Sequence, residues 1–309
     1  MHHRCVKIVD GAQGVMIEKL RDVLENFVGF RSNDTFTLYE NDIDLDNCTF
    51  VPLHPTIGKV WYVDGGQGEI FSTPVLSASM VKVAAVQYSN KLENVKTVSY
   101  IIIVHAKRYT HTVQVHSADM TRLIEEDTVS YPEITHPSLT AGAFRRYMEL
   151  RTCAELDGTV CYDGSFDTFN AKDAKLVDAL GANVCAIAKS SSHVTEQGQN
   201  PAYVLGRNGP SCAWVCSLSL MDHYVKLHAR ARHVFRFTGN SELLSFLVPL
   251  CADPILLGYP VGLVTADKYA RVSKRDMMNL GLQLRIRSKV LNQYLQTEDV
   301  HSILDSISY

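Results

Sequence analysis

Between Lys59 and His116 the chain passes from one strand-like run to the next without leaving room for a helix, and this constrains its fold more than any other feature. Val, Ile, Tyr and Ala dominate the runs at Lys59 to Asp64, Glu69 to Phe71, Pro74 to Ser89, Val95 to Lys107 and Tyr109 to His116. Short polar turns such as Ser89-Asn-Lys-Leu-Glu-Asn separate them. β-Branched and aromatic residues suit the pleated surface of a sheet. A parallel neighbour needs a crossover of about a dozen residues or more, so these runs are expected to pair antiparallel.

The grammar changes after a charged, proline-containing link, Glu125 to Pro137. Ser138 to Leu156 opens on a serine suited to capping, lacks proline, and places Leu139, Ala143, Tyr147, Leu150 and Ala154 on one side, which predicts a helix. A strand (Thr159 to Asp163), a helix (Ala171 to Leu180, closed by Gly181) and a strand (Ala182 to Lys189) follow, and strand–helix–strand order implies parallel pairing. Antiparallel strands followed by parallel units give a mixed α/β sheet flanked by helices.

The remainder reads as a polar loop to Pro210, strands near Ala213 to Leu218, Tyr224 to Ala229 and His233 to Thr238, and helices at Ser241 to Cys251, Val272 to Tyr294 and Thr297 to Ile307. At the other end a helix is expected over Val15 to Phe30 and a loop or covering segment over Arg31 to Pro55. Residues 1–309 are expected to form a single domain, with a core of about 58–271, an N-terminal segment 1–57 and C-terminal helices 272–309. The Asn/Gly/Pro-rich loop near residue 200 is the best candidate for a boundary.

With 309 residues, 46% of them hydrophobic, the chain can bury a full core. Thirty Lys and Arg against 33 Asp and Glu exclude a generally basic nucleic-acid coat, though not a local basic surface. The eight cysteines form no CxxC pair and mostly lie in apolar runs, as reduced core thiols do. Met1-His-His-Arg-Cys has no apolar leader character, and the longest apolar run, Ser99 to Ala106, cannot span a bilayer. A soluble, cytoplasmic protein with no membrane association is expected.

Two segments carry candidate chemistry. Lys59-Val-Trp-Tyr-Val-Asp64-Gly-Gly and Gly158-Thr-Val-Cys-Tyr-Asp163-Gly-Ser each run through apolar residues to aspartate and then glycine. A strand would thereby present a carboxylate at its tip, and two such tips side by side suit a divalent cation. The ordinary alternative is turn chemistry, which favours the same two residues. Glu149, in the helix before the Asp163 strand, is either an exposed glutamate pairing with Arg145 or Arg146, or a third metal carboxylate. Lys189 ends an apolar strand where a cation could offset charge on a scissile phosphate, or simply be solvated. Arg236, between Phe235 and Phe237, is a phosphate contact or the outward residue of an edge strand. Cys212, Cys216, His223 and His228 are zinc-ligand types, but the central gap is too short for a finger. GxGxxG, GxxxxGK[ST] and GxSxG are all absent, which leaves dinucleotide, P-loop and nucleophile-elbow chemistries unsupported.

Taken in order, Val60-Trp-Tyr-Val-Asp64-Gly, a helix with Arg145 and Glu149, Val160-Cys-Tyr-Asp163-Gly-Ser165-Phe, Ala186-Ile-Ala-Lys189-Ser, Phe235-Arg-Phe and Gly258-Tyr-Pro-Val-Gly-Leu-Val-Thr-Ala-Asp267-Lys-Tyr-Ala resemble the NurA nucleases of archaea and some bacteria. The match runs from about Val60 to Arg271. The resemblance implies an RNase H-like fold and a deoxyribonuclease using manganese, or magnesium, as one or two ions. Such an enzyme would degrade DNA 5′ to 3′ from ends and on single strands, as a homodimer working with a HerA-type hexameric ATPase in end resection and double-strand break repair. It further implies that Asp64 and Asp163 bind metal, that Glu149 is the helix carboxylate, and that Lys189 and Tyr259 belong to the active site. Asp267 stands near a position where the family often has histidine. Glu155 shares the helix of Glu149, which is preferred for its spacing to the Asp163 strand and for the preceding Arg145. The rival expectation is a non-catalytic adaptor of the same fold, docked on a hexameric DNA translocase. A phosphoesterase acting on RNA or small phosphate esters is a third.

Overall fold

The computed structural model describes residues 42–43, 45, 48–107, 110–130, 136–168, 171–195 and 198–296. The helices expected at Val15 to Phe30 and Thr297 to Ile307 lie outside them. Thirteen strands are described: β1 (Asp42–Ile43), β2 (Phe50–Pro52), β3 (Val60–Ser72), β4 (Leu76–Tyr88), β5 (Leu92–Ala106), β6 (Thr110–Ser117), β7 (Leu123–Ser130), β8 (Thr159–Asp163), β9 (Val184–Ala188), β10 (Val194–Thr195), β11 (Trp214–Ser217), β12 (Asp222–Lys226) and β13 (Phe235–Thr238). The α-helices are α1 (Pro137–Ala154), α2 (Ala171–Asp178), α3 (Pro201–Asn208), α4 (Leu244–Leu247), α5 (Val261–Ala270) and α6 (Lys274–Arg287), with helical structure again over 289–296.

Eleven strands form one sheet in the order β2-β11-β12-β13-β9-β8-β3-β4-β5-β6-β7, while β1 and β10 pair separately. Strands β3 to β7 are antiparallel, as the short turns require. Strands β3, β8 and β9 are mutually parallel, with α1 preceding β8 and α2 joining β8 to β9. The result is the expected mixed α/β sheet flanked by helices, and strands from both sides of residue 200 belong to it.

Alternation along the strands assigns each residue to a face. Trp61, Val63, Val160, Tyr162, Val184 and Ala186 pack with Phe144, Met148 and Leu150 of α1. Val60, Tyr62, Cys161, Cys185, Ile187 and Phe237 pack instead with Leu244, Leu247, Leu263 and Ala266 on the other side. Helix α5 can approach because Gly262 has no side chain: a Cβ there would overlap the ring of the fully buried Tyr62.

Several local expectations are corrected. The charged link contains β7, and the polar loop before Pro210 contains β10 and α3, whose start is capped by Asn200 accepting from the Ala202 and Tyr203 amides. The segment before Pro55 supplies edge strand β2. Helix α1 is capped by His136, not Ser138, and begins on Pro137, whose missing N–H belongs to the unpaired first turn. The helix expected over Ser241 to Cys251 is two 3-10 turns around the short α4, with Pro249 removing a donor. Helix α5, absent from the expectations, follows Pro260.

Cysteines 153, 161, 185 and 251 are buried and free, whereas Cys48 and Cys216 form a disulfide, in place of the reduced thiols expected at those two positions. Among the described residues no helix is long and apolar enough to cross a membrane.

Candidate active site

Residue Asp64 does not sit at a strand tip. Strand β3 continues through Asp64-Gly65-Gly66 to Ser72, still paired with β4. The glycines are explained by close packing on both faces: a Cβ on Gly65 would overlap Glu149 Oε1, and one on Gly66 would overlap the Ala270 carbonyl. What ends here is the parallel neighbour. Val63 faces Tyr162 in register, and β8 stops one residue later at Asp163, leaving the two carboxylates side by side at an opening in the sheet.

Parity places both aspartates on the α5 face. Asp64 follows Val60 and Tyr62, and Asp163 follows Cys161, all members of the cluster containing Leu263 and Ala266. The Asp64 carboxylate is oriented by its own loop of backbone, Oδ1 accepting from the Gly65 amide at 2.7 Å. Burial and then the charge of Asp163 push its pKa up to about 7, against the pull of the Gly65 amide and of Lys189. Lys189, one residue beyond β9, donates to Asp163 Oδ2 at 2.7 Å, and its ammonium lies 5.2 Å from the Tyr259 ring centre. The Tyr259 hydroxyl is buried beside Asp163, and burial, followed by the charge of Asp163, drives its pKa far upward. Asp267, on α5, is close enough to raise Asp64 further while pairing with Arg271 at 2.9 Å.

Glu149 approaches from the other face. It rises from α1 to Gly65, where Oε2 accepts from the Tyr162 hydroxyl at 2.8 Å and Oε1 lies 3.5 Å from Arg145 without a hydrogen bond. At 2% exposure it is not the solvent-facing glutamate of the ordinary reading, although its pairing with Arg145 is present. Burial, reinforced by Asp64 and opposed by Arg145 and Tyr162, lifts its pKa to about 7. Glu155 caps the exposed end of α1, bonded to Arg151 at 3.2 Å, and is remote from this arrangement.

Among the described residues no three Asp, Glu, His or Cys side chains converge as a ready-made cation cluster. The expected trio of Asp64, Asp163 and Glu149 is therefore divided by the sheet into a pair and a single residue. The pair suits a hard divalent cation, offering oxygen donors crowded enough that one holds its proton to near neutrality.

Arg236 is not at an edge. It lies in β13 between β9 and β12, is 8% exposed, and points to the face opposite its neighbour Phe235. Its guanidinium grips Asp222 through two bonds (2.9 and 3.1 Å) and Asp167 through a third (2.7 Å), so those donors are committed within the fold. The zinc pattern is likewise broken: Cys216 is in the disulfide, and His223 bonds Ser217 and the Gly239 carbonyl.

Two features were not singled out from the sequence. Tyr162 fixes Glu149 through its hydroxyl. Arg230 and Arg232 stand with His233 in a local basic cluster ahead of β13, which is a signal in a chain of net charge −3. They line a groove of about 520 Å³ that ends at Lys189 and Tyr259.

No family model matches the chain. No curated protein does either. Solved structures similar to it include human endonuclease V, at a TM-score of 0.34 and 10% identity over 74% of this chain and 92% of that one. The catalytic domain of human endonuclease V gives 0.33 and 11%, over 72% and 88%. A. aeolicus Argonaute gives 0.31 and 11%, over 74% of this chain and 30% of its own.

Proposed function

We propose that this chain is a metal-dependent nuclease of the NurA type, hydrolysing DNA phosphodiesters through a cation held by Asp64 and Asp163. One observation carries this reading: two aspartates from adjacent parallel strands share one face, with Lys189 bonded to one of them and the buried Tyr259 hydroxyl beside both. A turn-forming role does not account for Asp64, which lies within a continuous strand. A bound manganese or magnesium ion, one or two in number, would supply Lewis-acid stabilisation and a more acidic water.

The chain's own groups account for the rest. Asp64 must lose its proton before it can serve as a ligand, which sets an acid limit near pH 7 on the free protein. The Lys189 ammonium, already at the carboxylate pair, offsets negative charge that develops on the phosphoryl oxygens. Tyr259 keeps its proton under all ordinary conditions and is therefore a hydrogen-bond donor, not a base. Glu149 sets the charge behind Asp64 from the opposite face. Asp267, tethered to Arg271, borders the same opening.

The finer features are proposed on the resemblance in motif order: 5′ to 3′ digestion from ends, cleavage of single strands, partnership with a HerA-type ATPase in end resection, and a cytoplasmic setting. A homodimer has separate support in an exposed apolar stripe on α6, where Met278, Leu282 and Ile286 recur every fourth residue. Sedimentation of the purified chain tests it, and a monomer at all concentrations would exclude it.

The test of function is incubation of labelled single-stranded and duplex DNA, and RNA, with manganese, magnesium or chelator. A metal-dependent ladder that vanishes in Asp64→Asn and Asp163→Asn is expected. Normal cleavage by either folded variant would remove these residues from the site, and binding without cleavage in any metal would select the adaptor.

A further inference from the structure

We propose that the groove beside Lys189 is a subsite for an unpaired nucleic-acid strand, in which Arg230 and Arg232 hold backbone phosphates and the loop carrying Ile255 supplies an apolar wall for a base. The inference rests on the nuclease reading, because the groove opens onto Lys189 and Tyr259.

The groove is built from two loops. One joins β12 to β13 and carries Arg230, Arg232 and His233, all exposed. The other runs from Cys251 to Tyr259. Gly258 lets them meet: its φ is +89°, and a Cβ there would overlap Ala231. The second loop is shaped by Asp253, whose Oδ1 accepts from the amides of Ile255 (2.8 Å) and Leu256 (3.3 Å). That turn holds Ile255 out at 91% exposure on the wall of the groove. Phe235 and Tyr259, with ring centres 5.3 Å apart, form the aromatic end of the groove nearest the carboxylates.

Charge points to the ligand. Arg230 and Arg232 make no ion pair among the described residues, whereas Arg145, Arg151, Arg236 and Arg271 each face a carboxylate. Two unpaired guanidiniums, a histidine and Lys189 along one wall, opposite exposed aliphatic surface, match a ligand that alternates anionic linkages with flat apolar faces. A single strand has that alternation and offers its base faces, whereas a duplex hides them in its stack. The contacts involve phosphate and base only, so thymidine and uridine strands are expected to bind alike.

The experiment is fluorescence anisotropy with labelled oligo-thymidine and oligo-uridine strands of equal length, in chelator so that nothing is cut. Wild type, Arg230→Ala/Arg232→Ala and Ile255→Glu are compared across a salt series. Each phosphate contact on a single strand contributes about 0.7 to the slope of log affinity against log salt. The double variant is therefore expected to bind at least about tenfold more weakly, with a slope shallower by about 1.4. Ile255→Glu, which removes the apolar wall and also adds a negative charge, should weaken single strands more than blunt duplex.

Loss of affinity without change of slope, equal losses for strand and duplex, or no binding by wild type would each overturn the subsite. Wild type that binds with the expected slope yet cuts nothing in any divalent metal would overturn the hydrolytic reading and support the subsite. Cleavage by wild type with binding untouched in the variants would do the reverse.

Discussion

Replacing Glu149 with glutamine removes a carboxyl whose ionisation opposes the fold, and the consequence can be worked through. The group is 2% exposed, so solvent screening does not dilute the effect. Its pKa is displaced from 4.5 to about 7 by burial, against the favourable Arg145 and Tyr162 contacts. Each tenfold displacement of a proton equilibrium is worth about 1.4 kcal/mol, so the charged form costs the folded state about 3 kcal/mol at alkaline pH. The sign follows from linkage. The unfolded chain releases this proton as pH rises through 4.5, while the folded chain keeps it to about 7, so stability present below 4.5 is lost across that window and stays lost above it. Glutamine does not titrate. Urea unfolding in chelator at pH 5 and pH 8 should show Glu149→Gln gaining about 2 kcal/mol on wild type between the two conditions, part of the loss having occurred already by pH 5. Asp64 titrates in the same range and its charge raises Glu149, so the comparison is repeated in an Asp64→Asn background, where the coupled partner no longer titrates. Parallel stability profiles, differing by less than about 0.5 kcal/mol over that interval, would refute the argument.

Manganese should raise the melting temperature more at pH 8 than at pH 6, because below about 7 Asp64 holds a proton that a cation must displace, and Asp64→Asn should abolish the increment. A metal-induced shift equal at both pH values would contradict the placement of Asp64 among the ligands. Arg236→Met leaves the part-exposed Asp222 and Asp167 without their guanidinium, and a loss of about 1–3 kcal/mol is expected in chemical denaturation. Adding Asp222→Asn should recover part of it, and a neutral single substitution would show the network to be dispensable. Gly262→Ala drives a methyl into the Tyr62 ring and should cost about 1–3 kcal/mol, measured in the same way. An alanine tolerated there without loss would mean that α5 can shift away from the sheet.

The sequence by itself determined the pairing sense of the central strands. Short turns between Val- and Ile-rich runs leave antiparallel pairing as the available connection, and the helices before β8 and between β8 and β9 leave room for parallel crossovers. Strand β8 was legible to the residue because Gly158 and Gly164 bracket five residues of uniform strand character. Strand β7 was not, because Glu125, Glu126 and Asp127 read as a solvated link, while in the sheet's edge strand the Glu125 and Asp127 side chains can pair with Lys172. Helix α3 was hidden by the Pro and Gly of its own cap positions.

For the candidate site, sequence supplied the residue types and only the tertiary structure decided the faces. Asp64, Asp163 and Glu149 look equivalent as a list of carboxylates. Period-two alternation puts Asp64 and Gly65 on opposite sides of one strand, and α1 packs on the glycine side, so Glu149 arrives behind the aspartate pair and bonds Tyr162. Arg236 and Phe235 are divided by the same rule, which turns the arginine toward Asp167 and leaves the phenylalanine facing the groove. A one-residue step along a strand moves a side chain through the whole thickness of the sheet. Which face carries the aspartate pair depends on which helix covers each, and that is settled by packing between segments far apart in the chain.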